Sequence, residues 1–283
     1  MTHVLACTDG SVYAPSVYDH AAWAARRIEA SLEVLHVLDH KRESAEFADR
    51  SGSIGLGAQE DLLRQLSEID VARGKAAILR GRAVLDAAAA RLTAAGFVPT
   101  LTQRHGSFIE TLEAVEVHAD LVVIGKRGEA ANFATPHLGA NLERAIRGSR
   151  HPILVASRAF QPIKRVLIAY DGGTSATKAV TRAAEGKLLR GLEIDLLTVG
   201  EATDETRTRM ANACAELAAA GLSARAVLAD GEAETVIARH VKEQGIDLLV
   251  VGAYGHSRIR HLLVGSTTTA LIRSCQVPLL MFR

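Results

Sequence analysis

The sequence predicts an α/β protein made of two doubly wound domains, each with a five-stranded parallel sheet, packed together as an internal pseudo-dimer. Two observations lead to this fold. Segments of the first half recur in order in the second half, and each half alternates short apolar runs with amphipathic stretches of helical spacing. Alternating strands and helices favour a right-handed parallel sheet with helices on both faces.

The internal repeat is visible in matched segments at nearly constant offsets. Val4–Asp9 matches Val166–Asp171 at an offset of 162, and Ala119–Gly128 matches Ile246–Gly255 at an offset of 127. Because several segments match in the same order, we interpret the chain as two copies of one structural unit.

The offset between the repeats falls from 162 to 125 on passing from the second strand to the second helix, so the first repeat is longer there. We place this insertion at about residues 41–80. The predicted domains are residues 1–157 and 164–283, with a linker at 158–163. Each domain is large enough to bury its own core.

Five strands and four helices are predicted in each repeat, and in a sheet of order 3-2-1-4-5 the first and fourth strands would be neighbours. The first strand of the second repeat is apolar without alternation, as in a strand covered on both faces, and glycines end the helices. Its strands are predicted at Arg165–Tyr170, Glu193–Val199, Ser223–Leu228, Asp247–Val251 and Pro278–Phe282. Its helices are predicted at Ser175–Leu189, Asp204–Ala220, Glu232–Gln244 and Gly265–Ser274.

Composition excludes several classes of protein. The 33 basic and 32 acidic residues give a net charge of +1, which does not favour nucleic acid as a partner. No apolar stretch approaches the ~20 residues that cross a bilayer. Cys7, Cys214 and Cys275 are far apart and form no CxxC motif, so we expect reduced thiols and a cytoplasmic protein.

A glycine motif follows the fourth strand of the second repeat. Gly252 and Gly255 come directly after the apolar run, and Gly265, Ser266 and Thr267 precede a helical face. Glycines let the backbone approach an anion, and a helix amino terminus presents N–H groups and hydroxyls to it. The motif therefore predicts a phosphate site. The alternative is structural, with glycines that only turn the chain and hydroxyls that only cap the helix.

The pattern Gly252-x2-Gly255-x9-Gly265-Ser266, with Asp171 ending the first strand, resembles the universal stress protein family in its tandem-domain form. The resemblance covers nearly the whole chain and implies a Rossmann-like sheet that binds ATP, with or without Mg²⁺, at its carboxyl edge. It implies that Asp171 meets the adenosine and that the main chain of Val199 meets the adenine. The residues it carries over are Ala169, Tyr170, Asp171, Val199, Val251, Gly252, Gly255, Gly265, Ser266 and Thr267.

The first repeat departs from this pattern. Gly128 is followed by ten residues before Gly139, and Ala140 and Asn141 replace the hydroxyl pair. Because a lost charge-assisted hydrogen bond costs about 1.5–3 kcal/mol, we predict that this half binds nucleotide weakly or not at all.

Three functions stay open. The first is an ATP-binding stress-response or regulatory module, and the second is a slow ATP hydrolase of the same fold, although no GxxxxGK[ST] loop is present. The third is a pairing scaffold that binds no nucleotide. A receiver-like switch with Asp230 is disfavoured because the sequence lacks the paired acid beside Asp171. The apolar last strands of the repeats lie at predicted sheet edges, which invite strand pairing. The resemblance implies that these strands join the two domains across a pseudo-twofold axis, and whether two chains also form a homodimer stays open.

Overall fold

The computed structural model describes residues 2–38, 56–126, 140–252, 271 and 275–282. The strands are β1 His3–Thr8, β2 Ser31–Leu38, β3 Thr100–His105, β4 Leu121–Gly125, β5 Ile153–Ala156, β6 Arg165–Ala169, β7 Glu193–Val199, β8 Ala224–Ala229, β9 Leu248–Gly252 and β10 Leu279–Phe282. The α-helices are α1 Ala14–Ile28, α2 Leu56–Ala94, α3 Phe108–Val115, α4 Ala140–Gly148, α5 Thr174–Glu185, α6 Asp204–Ala219 and α7 Ala233–Glu243.

These strands form one continuous sheet in the order β3-β2-β1-β4-β5-β10-β9-β6-β7-β8. Each repeat therefore has the order 3-2-1-4-5, which makes its first and fourth strands neighbours, with parallel pairing throughout. The two halves meet where β5 and β10 pair antiparallel, with Val155 opposite Leu279 and Ile153 opposite Met281. The predicted fold class is confirmed, including the internal pseudo-dimer.

Helices cover both faces of the sheet and bury two apolar layers. One layer packs α1, α2, α5 and α6 against the strands, and the other packs α3, α4 and α7. Both layers contain residues from both repeats, so each core continues across the junction between β5 and β10. Each fully buried Leu, Ile or Val contributes about 1.5–3 kcal/mol to folding, and the junction contains such residues in Leu154, Val155, Leu279 and Leu280.

Helix ends have local causes. α6 begins after Thr203, whose side chain accepts a hydrogen bond from the backbone N–H of Thr206 at 3.1 Å. The helix predicted over Ser175–Leu189 is wrong at its carboxyl end, because α5 stops at Glu185 where Gly186 takes an extended conformation. The boundaries of the domains, the linker and the insertion stay predictions.

The helix α2 is unusually long, with 39 residues. At 1.5 Å per residue it extends for about 58 Å. Its carboxyl-terminal half packs on the first repeat through buried residues such as Leu85, Ala88 and Leu92. In contrast, every residue from 64 to 76 is exposed except the partly exposed Gly74. Part of the predicted insertion is therefore a helical extension that leaves the body of the protein.

Candidate functional site

The carboxyl ends of β6, β7 and β9 meet at one edge of the second half of the sheet. β6 lies between β7 and β9, where the strand order reverses. The pairing of Ile168 with Val250 brings Tyr170 and Gly252 to the same level at the ends of their strands. Open α/β sheets bind ligands in the crevice formed at such a reversal, so the topology brings the predicted residues of this edge together.

The turn after β6 is held by its own hydrogen bonds. The carbonyl of buried Tyr170 accepts a bond from the Thr198 hydroxyl at 2.8 Å, and Asp171 Oδ1 accepts one from the Gly173 N–H at 2.8 Å. Gly172 takes a left-handed conformation with φ +74°. The N-cap of α5 is Gly173, which has no side chain to cap the helix. Asp171 therefore shapes the turn before α5 but is not the N-cap of that helix. It is exposed at the carboxyl edge of the sheet.

Gly252 is required by packing between two backbones. A Cβ atom on Gly252 would lie 2.6 Å from the carbonyl carbon of Ser175 and 2.8 Å from the nitrogen of Ala176. Real side chains do not approach a backbone so closely. The end of β9 thus lies directly against the first turn of α5, and the structural explanation accounts for this glycine without any ligand.

Val199 presents its main chain to the crevice. The N–H of Tyr170 bonds to the carbonyl of Leu197 at 2.8 Å, so that carbonyl points toward β6. Backbone groups of alternate residues point the same way along a strand, and the carbonyl of Val199 therefore faces the same side. Because β6 has already ended at Ala169, this carbonyl lies beyond the last residue of the neighbouring strand.

Two other predicted residues contribute backbone only. Val251 is buried in the core that packs on α7, and Ala169 packs against the same core. Their side chains therefore stabilise the sheet, and only their main chains lie near the edge.

The phosphate half of the predicted site lies outside the described residues. Gly255, Gly265, Ser266 and Thr267 belong to this group, as do Gly128 and Gly139 of the first repeat. Their roles stay predictions from the sequence.

Arg209 is a residue of this edge that sequence reasoning missed. A Cβ atom on Gly172 would lie 2.9 Å from Nη1 and 3.3 Å from Cζ of Arg209, so the guanidinium covers the turn that carries Asp171. Its Nη2 also lies 3.8 Å from Glu205 Oε1, one helical turn earlier. The internal repeat could have indicated Arg209. It matches Val84 of the first repeat, whose side chain covers Gly10 in the same way.

The opposite edge of the second half contains a cleft of about 470 Å³ with a polar cluster. Asp195 accepts two hydrogen bonds from Arg225, at 2.9 and 2.7 Å, and one from His240 at 2.8 Å. Burial raises the pKa of Asp195, but the bonds from Arg225 and His240 outweigh it and hold that pKa below its ordinary value. Since its charges compensate one another, we interpret this cluster as structural.

Three further findings concern only the part of the chain that the structure describes. It holds no group of three or more His, Cys, Asp or Glu side chains placed to bind a metal ion. Among its helices, none has both the length and the apolar character to span a bilayer. None of Cys7, Cys214 and Cys275 forms a disulfide bond there.

The sequence matches one protein family over most of its length. A model of the universal stress protein family matches residues 1–157 and 200–283. The Universal stress protein Slr1230 of Synechocystis sp. is 40% identical over 287 residues, which cover 100% of both chains.

Solved structures share the fold. A universal stress protein from Archaeoglobus fulgidus matches with a TM-score of 0.73 and 20% identity, covering 99% of this chain and 98% of that one. A universal stress protein solved in complex with cAMP matches 44% of this chain and 98% of its own, at 23% identity and a TM-score of 0.38. The cAMP is a ligand of that protein, and so distant a match carries no argument about ligands here.

Proposed function

This chain belongs to the universal stress protein family, and from that premise we propose that its second repeat binds ATP as a regulatory ligand. The nucleotide would lie at the carboxyl edge of the sheet, with adenosine between Asp171 and the main chain of Val199. Its phosphates would lie on the loop from Gly255 to Thr267. The proposed role is a stress-response or regulatory module of the cytoplasm, in which binding rather than turnover carries the signal.

One observation carries the proposal. The turn with Asp171 after β6 and the end of β9 at Gly252 lie on either side of the point where strand order reverses, and Val199 ends the adjacent strand β7. The glycine motif starts from the third strand end of that crevice. A preformed crevice costs little ordering on binding, and a glycine loop that leads to a hydroxyl-bearing helix start is suited to phosphates.

Arg209 adds positive charge to this edge. Its guanidinium lies over Gly172, the residue that follows Asp171. The four charges of ATP favour an arginine near the entrance, since charge-assisted bonds to phosphate are the stronger kind. We therefore include Arg209 in the proposed site.

A pairing scaffold without nucleotide is the second candidate, and specific observations favour it. Gly252 is explained by its contact with Ser175, and the Asp171 carboxylate by its bond within the turn. The continuous sheet across β5 and β10 also supplies a structural reason for the duplication. Under this alternative the crevice would be a by-product of the fold.

Calorimetric titration of ATP and Mg²⁺ into the nucleotide-stripped full chain distinguishes the two candidates. We expect micromolar binding of one ATP per chain, lost in Gly265→Ala/Ser266→Ala. Gly139→Ala, at the place of the first repeat that matches Gly265, is the matched control and should bind as the wild type does. An absence of ATP binding by the wild type would favour the scaffold, and release of phosphate during the titration would point to the hydrolase.

A further inference from the structure

A lysine of the first repeat contacts the last helix of the second repeat. Lys126 comes directly after β4, and its Nζ donates a hydrogen bond to the carbonyl of Cys275 at 2.5 Å. The contact is partly buried, and it joins residues that lie 149 positions apart in the chain. A charged side chain thus connects the two repeats at a place that the strand junction itself does not include.

The antiparallel junction brings these two residues together. Val155 of β5 lies opposite Leu279 of β10. One step along each strand, Ala156 is therefore level with Pro278, and Gly125 of β4 pairs with Ala156. The carboxyl edge of the first half of the sheet thus lies at the same end of the molecule as the amino edge of the second half, where the chain enters β10.

Cys275 marks the end of a helix. Its N–H bonds to the carbonyl of Leu271 at 2.9 Å, which is the bonding pattern of an α-helix. At the end of α4 in the first repeat, the N–H of Ser149 bonds in the same way to the carbonyl of Ala145 at 2.8 Å, and the two pairs match at an offset of 126. The helix that ends at Cys275 therefore corresponds to the one predicted over residues 265–274, whose start belongs to the glycine motif.

A positive charge suits the end of this helix. The last carbonyls of an α-helix have no partner within the helix, and together with the macrodipole they make this end negative. An ammonium group is favourable there, and partial burial protects the interaction from screening by salt. Leu271 and Cys275 are themselves buried in the apolar layer that α3, α4 and α7 cover. The helix end is therefore held both by apolar packing and by Lys126.

We propose that Lys126 is a positioning residue for ATP, because it fixes the helix whose opposite end would hold the phosphates in the second repeat. This inference rests on the proposed function. A helix of ten residues is about 15 Å long, and a rigid element of that length carries a shift at one end to the other. When its far end is fixed, the start of the helix needs less ordering as phosphate binds, which favours affinity.

The two repeats are not equivalent in this respect. At an offset of 127, the residue that corresponds to Lys126 is Ala253, whose side chain has no hydrogen-bond donor. The first repeat can therefore support the last helix of the second, while the second repeat has no such side chain at the matching position to support α4. The inference gives the first repeat, whose own glycine motif departs from the pattern, a role in ATP binding by the second.

Calorimetric titration of ATP into variants of the full chain tests the proposal. Lys126→Met keeps a long side chain but removes its charge, and it should weaken ATP binding about two- to fivefold, as expected for a charge lost at a helix end. Lys126→Arg keeps the charge and should bind ATP nearly as the wild type does. Adenosine, which has no phosphates, should bind Lys126→Met and the wild type equally, whereas a general loosening of the fold would weaken both ligands.

Arg27→Met is the matched control. Arg27 also donates from one repeat to backbone carbonyls of the other, to Leu188 at 2.5 Å and to Arg190, but it does so beside the other apolar layer, where Leu188 packs. It should leave ATP affinity unchanged. Unchanged ATP binding by Lys126→Met, or equal losses in both variants, would overturn this inference and leave the proposed function standing. An absence of ATP binding by the wild type would refute both together.

Hydrogen exchange in the ligand-free protein tests the contact itself. The amide of Cys275 bonds to the carbonyl of Leu271, and it should exchange faster in Lys126→Met than in the wild type, because the end of the helix then opens more often. In Lys126→Arg it should exchange at the wild-type rate. Equal rates in Lys126→Met and the wild type would show that Lys126 does not hold this helix, and would overturn the inference.

Discussion

The two repeats share the turn that follows their first strand but differ in what lies over it. Asp9 Oδ1 accepts a bond from the Ser11 N–H at 3.0 Å, as Asp171 does from Gly173, and Gly10 and Gly172 both have φ +74°. Yet the helix that covers this turn carries Val84 in the first repeat and Arg209 in the second. Residues that form the turn are retained, while residues that would contact a ligand have changed.

The hydrogen bond that joins the ends of the first two strands in each repeat shows the same pattern. His36 Nδ1 bonds to the carbonyl of Thr8 at 2.9 Å, and the Thr198 hydroxyl bonds to the carbonyl of Tyr170 at 2.8 Å. Different side chains thus perform one structural task, because either donor satisfies the carbonyl at the strand end. The fold constrains the hydrogen bond more than the residue that makes it.

Of the changes that test this comparison, Gly252→Ala should have the largest effect, which is a loss of stability. The added methyl group would meet the Ser175 backbone, and a forced shift of that kind costs about 1–3 kcal/mol or more of unfolding free energy. Urea denaturation measures it. Gly74→Ala is the control, because no atom lies within 4 Å of its Cβ position, and it should be neutral or stabilise α2. A stable Gly252→Ala protein would show that β9 and α5 tolerate separation.

Restoring the glycine motif in the first repeat should change the number of ATP molecules that bind per chain. Deletion of one residue between Gly128 and Gly139, combined with Ala140→Ser and Asn141→Thr, restores the motif of the second repeat. We expect calorimetry to report two ATP molecules per chain in place of one. If the stoichiometry stays at one, the surroundings of the first turn, Val84 included, also exclude nucleotide.

Exchange of Arg209, the residue that covers the second turn, should have a smaller effect, which is on the affinity for ATP. Arg209→Val makes the second turn resemble the first, and the loss of a charge-assisted bond should weaken ATP about tenfold or more. Adenosine, which has no phosphates, should bind Arg209→Val and the wild type equally. Equal losses for ATP and adenosine would assign Arg209 to the turn's structure instead of to phosphate.

The smallest predicted effect is on how stability depends on pH. It involves His20, at the place where the linker contacts α1. His20 is fully buried, its Nδ1 donates to the Ser16 carbonyl at 2.7 Å, and its ring meets that of Phe160 edge to face at 5.0 Å. By the repeat offset of 162, its counterpart Arg182 lies exposed on α5. Burial lowers the pKa of His20 from its ordinary value of 6.5.

The unfolded chain therefore takes up a proton at His20 more readily than the folded chain. The contribution of the neutral ring is complete above pH 6.5 and is lost as pH falls from there toward the lowered pKa of the folded state. Urea midpoints measured from pH 8 to about pH 5 should fall less steeply in His20→Gln than in the wild type. Arg182→Gln should leave the slope unchanged, and equal slopes in the wild type and His20→Gln would contradict this role of His20.

Sequence patterns predicted the architecture well, but they did not identify every residue at the edge of the candidate site. The apolar runs and the repeat predicted the strands, the helices and their alternation along the chain, because buried strands and amphipathic helices leave local periodic patterns. They did not predict that α2 is a single helix of 39 residues, since Gly74 and Gly81 interrupt the helical pattern. Arg209 was missed because its approach to Gly172 joins residues from separate elements.

The sequence by itself determined the repeat, the type and order of the elements, and the glycine motif. Each follows from residues near one another in the chain, whose spacing sets which side chains can be buried together. Only the tertiary structure decided that Gly252 meets Ser175, that Arg209 covers Gly172, and that Val155 lies opposite Leu279 where β5 pairs with β10. Such contacts depend on how packed layers bring distant segments to one place, and local spacing carries no record of them.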